Sequence, residues 1–424
     1  MEVISTGSNN VKTTFIRTSK FKTIDIDVAF IGSFSKENAT KRSLLTRLLT
    51  ASTKKYPSKK ALANKLYDLY NATLAISAYP SYKTSVTVFH LSIVNPKYAG
   101  GDAALLPEAL AFLREVIFNP NAKDGAFSEK DWREQKRILR DNIKNIYNNK
   151  SRYALRELLR NMSRDEIISV SSLGAIEDLD PLTASDVYAT YREMLEKENV
   201  VIFVTGDFDD KEMLGQLKIL GDFKDNPKPE ETVSEEERAV EKVKEVVEKQ
   251  NINQAKLLMG FRTDVNTKSD KFPAALLFNA IFGGTFTSGL MQVVREEHSL
   301  AYYIASQIIN DLKILIVTAG IDQNQYQLAS DLVIKQLESY KAGNISDDLI
   351  AIGKENIVNE LLEIGDSPRK LNAFHLRNYL HGMDISIPEM VEKIKNIAKE
   401  DLVTVARGIA LDTVFLLAGE DYDG

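Results

Sequence analysis

The chain has 424 residues, 44% hydrophobic and 27% charged, which is enough for two domains of roughly 150 to 220 residues with their own cores. Its formal charge of −6, with acids and bases mixed along the chain, gives no concentrated positive field for nucleic acid or anionic lipid. There is no cysteine, which excludes disulfides, thiolate catalysis and iron–sulfur clusters.

The first half of the chain reads as strands followed by helices. Alternation over residues 13–30 predicts two strands around a turn, and the leucine spacing of SLLTRLL then predicts an amphipathic helix. The β-branched and aromatic content of 74–94 predicts a strand pair. Helical patterns dominate from 106 to 195, and the apolar strand NVVIFVTGDFD closes this half.

Residues 224–250 divide the chain near its middle. They contain two prolines, a run of acids and few large apolar side chains, which is typical of an exposed linker leading to the next strand. The predicted domains are therefore 1–223 and 251–424.

The second half repeats the order of the first. The segment AKLLMGFRTDV resembles TTFIRTSKF, with Arg262-Thr263 against Arg17-Thr18. Both halves end with a helix, an apolar strand, a glycine and an acid, which are Gly206-Asp207 and Gly419-Glu420. Each half is predicted to be an α+β unit in which helices cover a sheet.

One helical segment, SLLTRLLTAST at 43–53, bears most directly on function. Its polar stripe, which includes Thr50, would by spacing alone be an ordinary solvated face. Together with YPSKKALANKLYDLYNA, however, it is similar to the HLLEHMLFKGT segment of the M16 family (insulinase, pitrilysin, mitochondrial processing peptidase). The resemblance covers nearly the whole chain. It implies two homologous halves, each a mostly antiparallel sheet covered by helices, forming a clam-shell chamber.

Active M16 peptidases bind zinc through H-x-x-E-H, whose glutamate polarises the metal-bound water. In register, Ser43 and Arg47 stand at the two histidines and Thr46 at the glutamate. Glu134 matches a further acid, and Asp141 stands at the third ligand position. Hydroxyls and a guanidinium cannot replace imidazoles, because arginine has five donors and no lone pair. The resemblance therefore implies no catalytic residue, no metal and no cofactor.

A replacement for the metal cross-link is also predicted at these positions. A buried aspartate without a partner is costly, and arginine pairs well with carboxylates. We therefore expect Arg47 to approach Asp141 or Glu134 where zinc would lie.

In the second half, FGGTFTSGLMQVVREEHSLAYYIAS resembles the M16 glycine turn and the LREKRGLAY segment that follows it. Arg295 and Tyr302 stand where active members keep an arginine and a tyrosine that bind the substrate backbone and stabilise the oxyanion. Gly283 and Gly284 would belong to a loop that touches substrate. The alternative is structural: a helix-capping Arg295, a half-buried Tyr302 and a simple turn.

A further candidate for peptide binding is the strand region 77–93. It matches in position the M16 edge strand to which an unfolded substrate adds as an extra strand. His90 lies within this apolar stretch and is interpreted as a structural residue.

The resemblance favours a non-catalytic subunit that binds peptide substrate and forms a heterodimer with a zinc-bearing M16 protease. It is closest to bacterial metal-free subunits linked to peptide or leader-sequence processing. No apolar run approaches the roughly 18 residues of a spanning helix, so a cytoplasmic protein without membrane or nucleic-acid partners is expected. A peptidase with unorthodox chemistry and a stand-alone scaffold are the alternatives.

Overall fold

A computed structural model describes residues 2–8, 10–163, 166–236 and 239–422. The strands are β1 Glu2–Ser8, β2 Val11–Arg17, β3 Thr23–Ser33, β4 Thr73–Ser81, β5 Thr84–Val94, β6 Ala122–Lys123, β7 Ala126–Phe127, β8 Asn199–Gly206, β9 Lys244–Lys249, β10 Ala255–Arg262, β11 Ala301–Ile309, β12 Ile314–Ile321 and β13 Ala410–Ala418. The helices are α1 Lys36–Leu49, α2 Lys59–Asp68, α3 Leu105–Phe118, α4 Glu129–Asn148, α5 Lys150–Met162, α6 Ile176–Leu179, α7 Ala184–Lys197, α8 Asp210–Leu217, α9 Phe272–Asn279, α10 Tyr326–Lys341, α11 Asp347–Ile364, α12 Pro368–His381, α13 Ile387–Lys395 and α14 Lys399–Arg407.

These elements form two compact units, and the predicted α+β class is confirmed. Unit one comprises Met1–Lys144, Val170–Thr232 and Ile364–Leu380, and unit two comprises Asn145–Ser169, Val233–Glu363 and His381–Gly424. Within the described ranges, no helix is both long and apolar enough to cross a membrane.

The sheet of unit one has the strand order β1-β2-β8-β3-β5-β4. Only the β2–β8 pair is parallel; the other pairs are antiparallel. One face of β3 points into a core shared with the apolar sides of α1, α3 and α7, because side chains alternate along a strand. The β3 residues in this core are Ile24, Ile26, Val28 and Phe30.

The sheet of unit two has the order β11-β12-β10-β13-β9, with only β9–β13 parallel. This order and polarity match β4-β5-β3-β8-β2 of unit one, strand for strand. The repeat expected from the sequence is therefore present as a repeated topology, and β1 is an addition to unit one. The edge strands β4 and β11 are counterparts.

The topology corrects the alignment of the two halves. The segment containing Arg262 is β10, whose counterpart is β3, whereas the segment containing Arg17 is β2, whose counterpart is β9. The shared Arg-Thr pair therefore matched two different strands. The error arose because β9, at 244–249, has alternating exposed residues and lies in the segment interpreted as a linker.

Two helical segments belong to the unit that sequence order would not assign them to. Helix α5 packs on β10 and β13 in unit two, where Leu158 and Met162 join a cluster with Leu258 and Phe415. Helix α12 belongs to unit one, where the side chain of Asn372 accepts a hydrogen bond from Thr205 at 2.6 Å. Periodicity reveals which helix face is apolar but not which sheet it covers, so the boundaries at 223 and 251 follow the chain and not the packing.

Candidate functional site

Helix α1 presents the three positions at which active peptidases would carry the zinc motif. Its start is stabilised by the side chain of Asn38, whose oxygen accepts a hydrogen bond from the Ser35 N–H at 3.0 Å. Its apolar side is held in the core by four leucines that are at most 2% exposed, which are Leu44, Leu45, Leu48 and Leu49.

Two threonine hydroxyls on the polar face of this helix are hydrogen-bonded to its own backbone. Thr46 donates to the carbonyl of Ser43 at 3.1 Å, and Thr50 donates to the carbonyl of Arg47 at 3.0 Å. The Ser43 side chain is itself buried. The two threonines act as local helix hydrogen-bonding groups, a common use of threonine in helices, and none of the three hydroxyls is an anionic ligand.

Arg47 is half-buried. Among the described residues, no carboxylate oxygen lies within 4.0 Å of its guanidinium. Burial lowers the pKa of Arg47 below its ordinary value, and no acid counteracts this effect. Arginine nevertheless stays protonated in proteins, so Arg47 carries a positive charge. The cost of removing this charge from water is not offset by a nearby acid in the described structure.

The prediction that Arg47 pairs with Glu134 or Asp141 of α4 is wrong. Glu134 pairs with Lys59 at 2.7 Å, and Asp141 pairs with Arg137 one helical turn away at 3.2 Å. The Lys59 ammonium lowers the pKa of Glu134. Both acids are substantially exposed and close to other bases, so burial does not force either one towards Arg47.

The donor set does not fit a catalytic zinc. Such a site takes about three nitrogen, sulfur or carboxylate ligands from the protein, whereas these positions supply two hydroxyls, a guanidinium and one paired aspartate. In the parts of the chain that the structure describes, no group of three or more His, Cys, Asp or Glu side chains is arranged to hold a metal. No hydrolytic step can therefore be assigned to this site.

Strand β4 provides a second feature beside α1. It is the last strand of its sheet, and α1 packs against it. Its side chains are mostly half-buried from Leu74 to Ala78, and Tyr79 is exposed. The strand therefore has one hydrogen-bonding edge without a partner strand in the described structure, as in domains that accept an extended peptide.

Arg295 and Tyr302, both predicted to bind substrate, lie on different elements of unit two. Arg295 is exposed on a π-helical turn at Met291–Glu297, and its Nη1 lies 3.7 Å from the sulfur of Met291. Ser299, with φ of 55°, turns the chain before β11. Tyr302 follows on β11 and is 70% exposed, so it is not a core residue.

Tyr302 lines a cleft of about 600 Å³ at one end of the unit-two sheet. Antiparallel pairing of β11 with β12 brings Ala301 opposite Ile321, so Tyr302 meets the residues that follow β12. The residues after β13 reach the same end. Besides Tyr302, the polar lining residues are Asn251, Asn253, Asp322, Gln323, Asn324, Glu420 and Asp421, and none of the described lining residues is a lysine or arginine.

The cleft carboxylates are held in place by neighbouring amides. Asp322 accepts from the N–H of Asn324 at 2.9 Å, and Asp421 accepts from Gln323 at 3.0 Å. Gln323 in turn accepts from the N–H of Gly419 at 2.8 Å. The hydrogen bond from Gln323 is the main cause of a lowered pKa of Asp421, which keeps this carboxyl ionised.

The glycines predicted to touch substrate have a packing reason. A Cβ on Gly283 would come within 2.8 Å of the backbone nitrogen and hydroxyl of Ser306, and one on Gly284 within 2.8 Å of the carbonyl of Asn279. Both positions require the close approach that only glycine allows. Their role as substrate contacts stays a prediction.

His90 belongs to a buried polar group on β3 and β5. Its Nδ1 lies 2.5 Å from an oxygen of Asp27, and its Nε2 lies 3.6 Å from Asp25. Burial raises the pKa of Asp25, while the hydrogen bonds from Thr23 and Ser92 act in the opposite direction. A histidine held between two strand carboxylates fits the structural role assigned to it.

Sequence reasoning did not identify the acids of the Tyr302 cleft. A signal was present for Glu420, because Gly419-Glu420 matches Gly206-Asp207 at the ends of the two halves. In unit one that acid is neutralised, since Asp207 pairs with Lys97. The equivalent acid of unit two instead lines an open cleft.

The two units share one sheet topology, and Ser43, Thr46 and Arg47 stand where a zinc peptidase of this fold would carry its metal motif. These two features define a non-catalytic homologue of a zinc peptidase. Residues 181–357 match the family described as the Peptidase M16 inactive domain. The chain is 32% identical to YmfF of Bacillus subtilis (strain 168), described as a probable inactive metalloprotease, over 96% of this chain and 95% of YmfF. The chain belongs to the M16 peptidase family, and its assignment as a non-catalytic member is confirmed.

The chain is also similar to two solved structures and to a second protein of Bacillus subtilis. A conserved protein from Enterococcus faecalis V583 superposes with a TM-score of 0.90, at 27% identity and full coverage of both chains. A peptidase M16 inactive domain from Pseudomonas fluorescens superposes at 0.82, with 16% identity over 100% of this chain and 99% of that one. YmxG of Bacillus subtilis (strain 168), described as an uncharacterized zinc protease, is 22% identical over 70% of this chain and 71% of YmxG.

Proposed function

We propose that this chain is the substrate-binding subunit of a heterodimeric zinc protease that processes peptides or leader sequences. The observation that carries the proposal is the replacement of the zinc ligands by Ser43, Thr46 and Arg47 within an intact M16-type fold. The partner would supply the metal and the general base, while this chain contributes peptide-binding surface.

Strand β4 supports a role in binding an extended peptide. Addition of a strand satisfies backbone groups at a sheet edge, so affinity arises without a particular peptide sequence. The strand contains Pro80 one residue before its end, and proline at an edge limits unwanted pairing with other sheets.

The Tyr302 cleft supports a role for unit two. Its volume of about 600 Å³ is within the range typical of ligand sites. The exposed phenol of Tyr302 can donate a hydrogen bond to a peptide carbonyl or to a developing oxyanion. The carboxylates of the cleft would favour a lysine or arginine side chain, or a free amino terminus.

Relatives of both kinds support the partnership. YmfF and YmxG, one inactive and one a zinc protease, occur in the same strain of Bacillus subtilis. The described residues of this chain form no metal site, so a metal-bearing homologue that assembled with it would supply the missing catalytic centre.

The test is native co-purification followed by reconstitution. The tagged full chain should co-purify with an M16 homologue that retains H-x-x-E-H, and the mixture should hydrolyse unfolded peptides in a chelator-sensitive manner. The partner with its catalytic glutamate replaced by glutamine serves as the control. Zinc-dependent hydrolysis by this chain alone would overturn the proposal in favour of unorthodox catalysis. Native complexes without such a homologue would support a scaffold instead.

A further inference from the structure

Two arginines on α1 have opposite environments. Arg42 is deeply buried and pairs with Glu198 at 2.6 Å. Arg47 lies five residues later and has no carboxylate within 4.0 Å in the described structure. The first arginine has its counter-charge within the fold, and the second does not.

The Arg47 guanidinium is also accessible to a ligand. Nε and Nη1 of Arg42 are fully buried without a hydrogen-bond partner, whereas no nitrogen of Arg47 is in that condition among the described residues. Arg47 makes no side-chain hydrogen bond there, so its nitrogens reach solvent and keep their donors available. A half-buried cation with free donors interacts more strongly with an anion than a fully hydrated one does.

The acids that could have neutralised Arg47 from within the chain are engaged elsewhere. Glu134 is bound to Lys59 and Asp141 to Arg137. Taken with Arg47, these five side chains carry one net positive charge. The positions that hold a metal cation in active relatives thus keep a cationic character here, carried by a side chain.

The position of α1 indicates which ligand could supply the anion. The helix packs against β4, which has no partner strand on its outer edge in the described structure. A peptide added to that edge would run beside the helix that carries Arg47. Its backbone would pair with β4, and a carboxylate it carried could accept two parallel hydrogen bonds from the guanidinium.

We infer that Arg47 is an anion-binding residue at the β4 edge and that it selects peptide segments bearing a carboxylate. The inference rests on the proposed peptide-binding function and specifies its substrate class. The carboxylate can be the C-terminus of the peptide or the side chain of Asp or Glu. Both have the same chemistry, and they are separated by the experiment.

The experiment uses three pools of random dodecapeptides and the full chain. The first pool lacks acidic residues and has a free C-terminal carboxylate, the second is the same pool amidated, and the third is amidated with one glutamate. Binding is measured by affinity selection with mass spectrometry and by titration for the wild type, Arg47→Gln, Arg47→Lys and Arg137→Gln. Arg137→Gln is the matched control, because it removes an exposed arginine of the same unit.

The wild type should prefer one or both carboxylate pools, and Arg47→Gln should weaken that binding about 10-fold or more. Binding of the neutral pool should be unchanged, and Arg47→Lys should retain part of the preference. Whichever acidic pool responds identifies the source of the carboxylate. Circular dichroism and thermal unfolding check that each variant is folded.

Two results would overturn the inference. Equal binding of all three pools by the wild type, or equal losses for Arg47→Gln and Arg137→Gln, would remove the selective role of Arg47 and leave the peptide-binding function intact. Failure of the wild type to bind any pool, in the presence or absence of its zinc-bearing partner, would remove both proposals.

Discussion

The polar face of α1 in unit one and the Tyr302 cleft in unit two differ in the sign of the charge that they leave open. Among the described residues, the first has a half-buried arginine with no acid within 4.0 Å, and the second has three carboxylates and no lysine or arginine in its lining. Both contain residues that the family resemblance predicts to stand at metal-binding or substrate-binding positions. Neither surface is electrically neutral, so each can attract groups of the opposite charge.

The largest expected effect is on stability, and it distinguishes Arg42, which stabilises the fold through Glu198, from Arg47, which we propose binds a ligand. Glu198→Ala leaves Arg42 buried without a partner and should lower the free energy of unfolding by about 3–5 kcal/mol. Arg47→Gln should change it by no more than about 0.5 kcal/mol, because no internal partner is lost. Urea denaturation measures both.

The control is Glu193→Gln, which removes an exposed acid paired with Lys197 on α7 and should cost about 1 kcal/mol or less. If Arg47→Gln were as destabilising as Glu198→Ala, the distinction between the two arginines would be lost. Arg47 would then have an internal partner of its own.

The next largest effect concerns Tyr302. Tyr302→Phe should leave the heterodimer assembled but raise the barrier to peptide hydrolysis by about 1–3 kcal/mol if the phenol donates to the transition state. Turnover of the purified complex, with gel filtration for assembly, measures this effect. Tyr98→Phe, at an exposed tyrosine of unit one, is the control. Unchanged kcat and kcat/KM for Tyr302→Phe would mean that the cleft has no part in the reaction.

The charge of the cleft should have a smaller effect. The double variant Glu420→Gln, Asp421→Asn should weaken binding of lysine-containing peptides by about 2 kcal/mol or less, because exposed charge pairs are weak. Peptides with acetylated lysines should bind both proteins equally. Isothermal titration calorimetry at low ionic strength measures these affinities. Equal affinity of the wild type for the lysine-containing and the acetylated peptides would show that the cleft carboxylates do not contribute to binding.

The smallest expected effect is on the α1 site itself. Stoichiometric zinc should not raise Tm, and a chelator should not lower it, since a ligand stabilises a fold only when it binds the folded state. Differential scanning fluorimetry is sufficient for this comparison. A zinc-dependent rise in Tm that is lost in Asp141→Asn, which removes the one carboxylate at a ligand position, would place a metal where the residues predict none.

The sequence was informative where chemistry depends on residue type alone. Ser43, Thr46 and Arg47 cannot act as zinc ligands in any arrangement, so residue identity is sufficient to predict the loss of the metal site. The helix α1 was also predicted correctly, because its four leucines repeat at the spacing of one helix face.

Predictions failed where the answer depended on which elements meet. The pair between Arg47 and Asp141 was reasonable from family positions, but Arg137 lies four residues from Asp141 on the same helix and pairs with it. The alignment of Arg262 with Arg17 failed because short alternating segments look alike, and only the pairing of β10 with β12 and β13 identified its counterpart. The Tyr302 cleft was not predicted because it forms only where the segments at the ends of several strands come together.

By itself, the sequence determined the family, the α+β repeat and the chemical inability of the α1 face to hold zinc. These follow from residue type and periodicity, which are local properties of the chain. The tertiary structure decided that Arg47 has no acid within 4.0 Å among the described residues and that Asp141 has a basic partner on its own helix. It also decided that α5 packs in unit two and α12 in unit one, and that three carboxylates share a cleft with Tyr302. Each of these is a distance between residues far apart in sequence, or a choice among nearby partners, and distances are set by packing.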